Sequence, residues 1–142
     1  MKADLLAPAA VLVLWTIVML FWMAGTRLPA LKAAGIDMSK AVGGRGQDLE
    51  SVLPPNINWK AHNYAHLVEQ PTLFYAVIGI LAIMGQVSAV AVALAWTYVV
   101  LRIGHSLVQA TTNRISLRFP LFLASTLALL GLTVLALLRT LG

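Results

Sequence analysis

Cysteine is absent from this 142-residue chain, which excludes disulfides, thiolate metal sites and a cysteine nucleophile. Any thiol chemistry must therefore use a thiol that a substrate brings. Charge is nearly as scarce. Charged residues make up 11% and apolar residues 60%, against about 25% and about 45–50% in soluble domains. That balance excludes an ordinary soluble domain. Internal repeats, low-complexity tracts and a second polar domain are also missing. The net charge of +5 does not imply nucleic acid, because the basic residues form no groove-sized cluster. They flank apolar runs, where anionic headgroups and the positive-inside rule place them. Membrane lipid, and not nucleic acid, is the expected surrounding.

What the chain does have is long apolar runs. A bilayer-spanning helix needs roughly 20 mostly apolar residues, and the pattern predicts four such helices in one all-α transmembrane domain. The first runs from Leu5 to about Thr26. It is longer than the roughly 7–15-residue apolar core of a signal peptide and carries Trp15 and Trp22 without a clear small-x-small cleavage site, so it reads as a retained helix. Residues 27–56 form the only polar segment of any length, with Gly43-Gly44-Arg45-Gly46 and Pro54-Pro55. Glycine and proline at that density punctuate rather than propagate helices. No strand precedes the glycines and no Lys-Ser/Thr follows them, so they do not fit a phosphate-binding loop. The second helix spans Ile57 to Met84 and contains Pro71; the third spans Val87 to about Gln109; the fourth opens at Phe119-Pro120 and ends at Arg139. The short Gly85-Gln86 connection makes the second and third helices antiparallel neighbours. Ala89 and Ala93, four apart, are candidates for close helix approach.

Four spans place both termini on one side with the Gly85-Gln86 turn. That side carries Lys2 and Arg139, whereas the other carries Arg27, Lys32, Lys40, Arg45, Lys60, Arg114 and Arg118. The asymmetry predicts a cytoplasmic long loop and external termini.

Ionisable residues inside a span cost roughly 2.5–3.5 kcal/mol each even on mild scales, so Glu69, Arg102 and His105 need a reason to be there. His62, His66 and Glu69 recur at i, i+4 and i+7, one side of a helix. Tyr98, Arg102, His105 and Gln109 form a second such stripe. Arg27 closes the first helix and Arg118 opens the fourth at the same membrane face. A buried Glu69–Arg102 ion pair that holds the bundle together would explain two of these residues. A polar ligand site explains why the others gather at one level. Three histidines and Glu69 suggest zinc, but the Arg102 cation one turn away opposes it, and no metal is assigned. Four short spans without an inverted repeat do not suit a transporter.

The run His66-Leu67-Val68-Glu69-Gln70-Pro71-Thr72-Leu73-Phe74-Tyr75 resembles the second-helix signature of the MAPEG family, membrane-associated proteins in eicosanoid and glutathione metabolism. Tyr98-Val99-Val100-Leu101-Arg102-Ile103-Gly104-His105-Ser106 resembles its third-helix signature, and Asn113-Arg114-Ile115-Ser116-Leu117-Arg118-Phe119 its loop into the fourth helix. The resemblance covers most of the chain from about Trp59 onward and is closest to the family's bacterial branch, which implies a bacterial inner membrane. It further implies a left-handed four-helix bundle assembled as a homotrimer, with glutathione as co-substrate between subunits near the cytoplasmic face. By the same resemblance, Arg118, with Arg27 second, matches the arginine that stabilises the glutathione thiolate. Glu69 matches the acid that holds the tripeptide's amino group, and Arg102 a carboxylate clamp. His62, His66, Tyr98, His105 and Gln109 complete the expected binding set. The sequence departs from the family where an asparagine usually precedes the glutamate by three, here His66, and where an arginine tends to stand one turn earlier, here His62. His105 and Gln109 stand where some members carry tyrosines. The expected function is a glutathione transferase or peroxidase acting on lipophilic electrophiles. The alternative is a non-catalytic lipid-binding or accessory subunit with the same fold.

Overall fold

With no water in the bilayer core to satisfy N–H and C=O groups, an apolar run of this length must bond its backbone internally. The computed structural model describes residues 2–142, and among them there are five α-helices, one 3-10 turn and no strand. Helix α1 is Lys2–Ala33, α2 Pro55–Glu69, α3 Pro71–Ile83, α4 Ala89–Thr111 and α5 Ile115–Leu141, with the 3-10 turn at Gly46–Leu49. Helices α2 and α3 are two halves of one segment, so four segments are long and apolar enough to cross a membrane: Ala3–Ala33, Pro55–Ile83, Ala89–Thr111 and Ile115–Leu141. This is the all-helical, four-span architecture read from the sequence.

Two helix ends differ from the hydropathy reading. The first helix does not stop near Thr26 but runs to Ala33. Its stop is Gly35, which takes φ 75°, with the Gly35 N–H on Lys32 O (3.1 Å) and the Ile36 N–H on Leu31 O (3.1 Å), the paired bonds of a glycine C-cap. Likewise α5 starts at Ile115, a turn before Phe119, and Pro120 lies inside it. Hydropathy marks where the membrane ends; caps mark where the helix ends. At 32 residues α1 is about 48 Å long, against a hydrocarbon core of about 30 Å. Part of it therefore projects beyond the apolar layer, alongside the start of α2 and the 36–54 loop.

The break between α2 and α3 follows from Pro71, whose missing N–H leaves the Leu67 carbonyl without its helical partner. Gln70 keeps helical dihedrals (φ −59°, ψ −37°), so the span bends without stopping. A second glycine cap, Gly85 at φ 68°, turns the chain into α4, where Ser88 accepts the Ala91 N–H at 3.1 Å.

Packing is built on small and evenly spaced residues. Leu5, Leu12 and Met19 are each 0% exposed and recur every seven residues, the repeat of left-handed helix packing. Phe74 of α3 stacks on Tyr98 of α4 with ring centroids 4.4 Å apart. Helix α4 packs most extensively on α5, and at Gly131 even a Cβ would come within 3.1 Å of the Leu94 side chain. Of the alternating alanines at the start of α4, Ala91 and Ala95 are buried, whereas Ala89 and Ala93 are exposed. Within one chain the buried stripe is thus the other one. The alternating alanines offer two four-residue stripes about 200° apart around the helix, and only packing partners distinguish them.

Candidate functional site

The polar layer is organised around a serine that the sequence reading did not single out. Ser106 Oγ accepts from Trp15 Nε1 of α1 (2.9 Å) and from Asn63 Nδ2 of α2 (2.8 Å). One hydroxyl thus ties three helices together, and both Asn63 and Ser106 are 0% exposed. Asn63 stands one residue after His62, so it turns inward as His62 turns out toward the loop. About two turns away, at the Pro71 break, Gln70 Nε2 donates to Thr126 Oγ1 of α5 (3.0 Å) and Gln70 Oε1 accepts from the Tyr98 hydroxyl (3.4 Å). These two junctions fix how α2 sits against α4 and α5.

Arg102 is 1% exposed. Its Nη2 donates to the His66 carbonyl at 2.9 Å, while Nε and Nη1 have no protein partner. Its guanidinium carbon lies 5.7 Å from the Phe122 ring centre. The Glu69–Arg102 ion pair weighed from the sequence does not form. Glu69 is exposed, with Oε2 3.4 Å from His66 Nδ1.

Phe122 is the platform of the site. The rings of His66 and His105 approach it at 6.3 and 6.1 Å and each other at 5.7 Å. Together with Ile115, Arg118 and Phe119 these residues line a pocket of about 170 Å³. One wall is apolar; the other carries a cation and two imidazoles. Arg118 reaches it because α5 begins early enough to put it on the first helical turns. Its Nη1 is held by Asn113 Oδ1 at 2.7 Å. Asn113 itself sits at φ 50°, the one non-glycine residue with positive φ among those described, a region asparagine tolerates better than most. Asn113 therefore serves both as the turn and as the arginine's brace. Asn113→Gly keeps the turn and loses the brace, so stability should hold within about 0.5 kcal/mol. Asn113→Ala adds a left-handed strain of about 1–2 kcal/mol. Melting temperatures of the two variants, read beside turnover, separate the two roles.

Arg27 and His62 lie elsewhere. With Met23, Gly46, Glu50 and Tyr64 they line a second pocket, of about 300 Å³, under the 36–54 loop. Arg27 Nη2 donates to Gly46 O at 3.0 Å, and His62 Nε2 pairs with the Glu50 carboxylate. Lys60 extends over the Trp22 ring at 5.8 Å. The loop is thus held to α1 and α2. At its start, the Ser39 hydroxyl and amide both donate to Asp37 Oδ1 (2.6 and 3.0 Å), holding that carboxyl below its usual range.

The expected site residues are therefore distributed between two cavities and the bundle interior. His66, His105 and Arg118 share one pocket, Arg27 and His62 another, and Glu69 lies on the outer surface beside His66. Tyr98, Arg102 and Gln109 are buried between helices, and Gln109 Oε1 has no protein partner. Asn63, Gln70, Ser106, Asn113 and Phe122 were not among the expected site residues. For Asn63, Gln70 and Ser106 the available signal was an uncharged amide or hydroxyl inside an apolar span, which is costly to leave unpaired; Asn113, in the turn, and Phe122 carried no such signal.

The sequence model of the MAPEG family matches residues 5–138, nearly the whole chain. No curated protein and no solved structure matches it.

Proposed function

The chain belongs to the MAPEG family, and on that premise we propose that it is a glutathione-dependent transferase or peroxidase acting on lipophilic electrophiles. The observation that carries this reading is the pocket of His66, His105, Arg118, Ile115, Phe119 and Phe122. An apolar electrophile dissolved in the bilayer meets its aromatic wall. A thiol from the aqueous side meets Arg118, whose charge favours the thiolate and so raises the nucleophilic fraction at neutral pH. Free thiols have a pKa near 8.5, so without such a cation most of the reagent would be inert. Arg102, enclosed behind the pocket, keeps two donor nitrogens without a protein partner that a ligand carboxylate reaching between the helices would satisfy, and Glu69 offers an acceptor for an ammonium.

The assembly proposed is a homotrimer in a bacterial inner membrane, with the 36–54 loop cytoplasmic and both termini external, as the Lys and Arg distribution favours. An exposed Glu69 on a membrane span supports association, because an ionised carboxylate facing lipid is costly and a neighbouring copy or a bound ligand relieves it. In such an assembly glutathione lies between subunits, and Arg27 contributes from the adjacent wall.

Isothermal calorimetry with glutathione on the purified protein tests the reading. Saturable heat that a Glu69→Gln/Arg102→Ala double variant abolishes supports it. No heat from a well-folded oligomer transfers the assignment to the non-catalytic, lipid-binding alternative, and mass spectrometry of co-purified lipid becomes decisive.

A further inference from the structure

Proton transfer in this pocket needs an acceptor, and Arg118, a permanent cation, cannot be one. We infer that His66 takes the thiol proton, with Glu69 holding its ring, so that thiolate formation is an internal transfer rather than a loss of a proton to water. The inference rests on the functional reading above and specifies its chemistry.

The geometry behind it is a carboxylate–imidazole dyad at the mouth of the pocket. Glu69 Oε2 is 3.4 Å from His66 Nδ1, a distance that such pairs shorten once substrate is bound. A carboxylate on Nδ1 places the proton there and leaves Nε2 with a free lone pair. His66 lines the same cavity as Arg118, so acceptor and thiolate stabiliser sit on one site. The charged and titratable groups that face His66 are Glu69 and His62 on its own helix, Arg102 and His105 from α4, and Arg118 from α5. Glu69 is the one anion among them. When a thiol ionises beside Arg118 its proton becomes the imidazolium's, and the sulfur anion adds a second negative neighbour. Glu69 Oε1 remains available for the tripeptide's ammonium, so a single carboxylate orients both the base and the substrate. His105 is the rival acceptor, but it is 4% exposed and no carboxylate is paired with it among the described residues.

For a conjugate addition the step balances as follows. The S–H bond breaks and its proton moves to His66 Nε2. The sulfur electron pair forms the S–C bond to the electrophile's β-carbon, and the displaced π pair becomes an enolate. The His66 proton then returns to the α-carbon, and nothing else is consumed.

The test measures thiolate ultraviolet absorbance and proton release together, in weakly buffered solution, as glutathione binds the wild-type protein. The expected result is full thiolate absorbance with almost no proton released. His66→Gln, at saturating glutathione, should either release a full proton per thiolate or form none. In both cases turnover falls by about 10²–10⁴-fold, and His105→Gln should still retain the proton. A full proton released by the wild type as the thiolate forms overturns the inference while leaving glutathione chemistry intact. Release confined to His105→Gln overturns it in favour of that residue. Absence of glutathione binding overturns the functional reading and this inference with it. A full proton released by the wild type overturns the inference even if a variant does not fold.

Discussion

Arg118→Ala should lower the proposed glutathione-dependent turnover by about 10²–10³-fold, the usual cost of removing one group that stabilises developing negative charge. Protein yield, oligomeric state and melting temperature should change little. The difference follows from where Arg118 sits. It is half-exposed at a pocket mouth, and its one side-chain bond is to Asn113, so truncation removes a charge from the cavity without leaving a buried group unpaired. Arg118→Lys retains the charge but gives up the planar fork, and should fall between wild type and alanine. The measurement is kcat beside thermal melting in detergent. Parallel loss of both in Arg118→Ala would make this arginine a structural brace, and the non-catalytic reading would gain accordingly.

Arg102→Met should have effects of opposite sign on stability and on binding. A fully desolvated guanidinium with one hydrogen bond to a backbone carbonyl is an expensive group to fold around. Replacing buried charge with an apolar side chain of similar volume is often neutral or stabilising, by about 1–4 kcal/mol. The unliganded variant should therefore melt at the same temperature as wild type or higher. On the proposed function, the wild-type protein should gain from ligand what the variant cannot. At a glutathione concentration of about 100 Kd the stabilisation is about 2.7 kcal/mol, and it should be missing in Arg102→Met. Melting curves with and without glutathione give both quantities from one experiment. A variant that melts lower without ligand and still responds to glutathione would show that Arg102 holds the bundle, through His66, rather than the substrate.

The two variants bear on different parts of the candidate site, and that division was not legible in the chain. His62 and His66 read as neighbours on one helical stripe, yet His62 is drawn to Glu50 on the loop while His66 lies against α4 and α5. Glu50 is twelve residues away in sequence, in a segment whose polar composition announced only a loop. Periodicity reports which residues share a side of one helix; it carries no information about which other element that side meets. The same limit explains Ala91 and Ala95 in place of Ala89 and Ala93, and Phe122 at the centre of a site from which sequence reasoning had omitted it. One more phenylalanine in an apolar helix has no local signature.

The sequence by itself determined the four membrane spans, the helical class and the face at which polar groups collect, because these depend on one-dimensional quantities: the length of an apolar run and the cost of charge within it. The family, too, was readable from three short motifs in order. Tertiary structure alone decided that Glu69 lies outside beside His66 and that Arg102 is enclosed without a carboxylate. It also decided that Ser106 joins three helices and that an asparagine at φ 50° sets the arginine of the pocket. Those outcomes turn on helix rotation and on caps that extend helices past their apolar runs. Rotation and register are fixed by side-chain packing between segments far apart in the chain, where each choice costs little until its partner is in place.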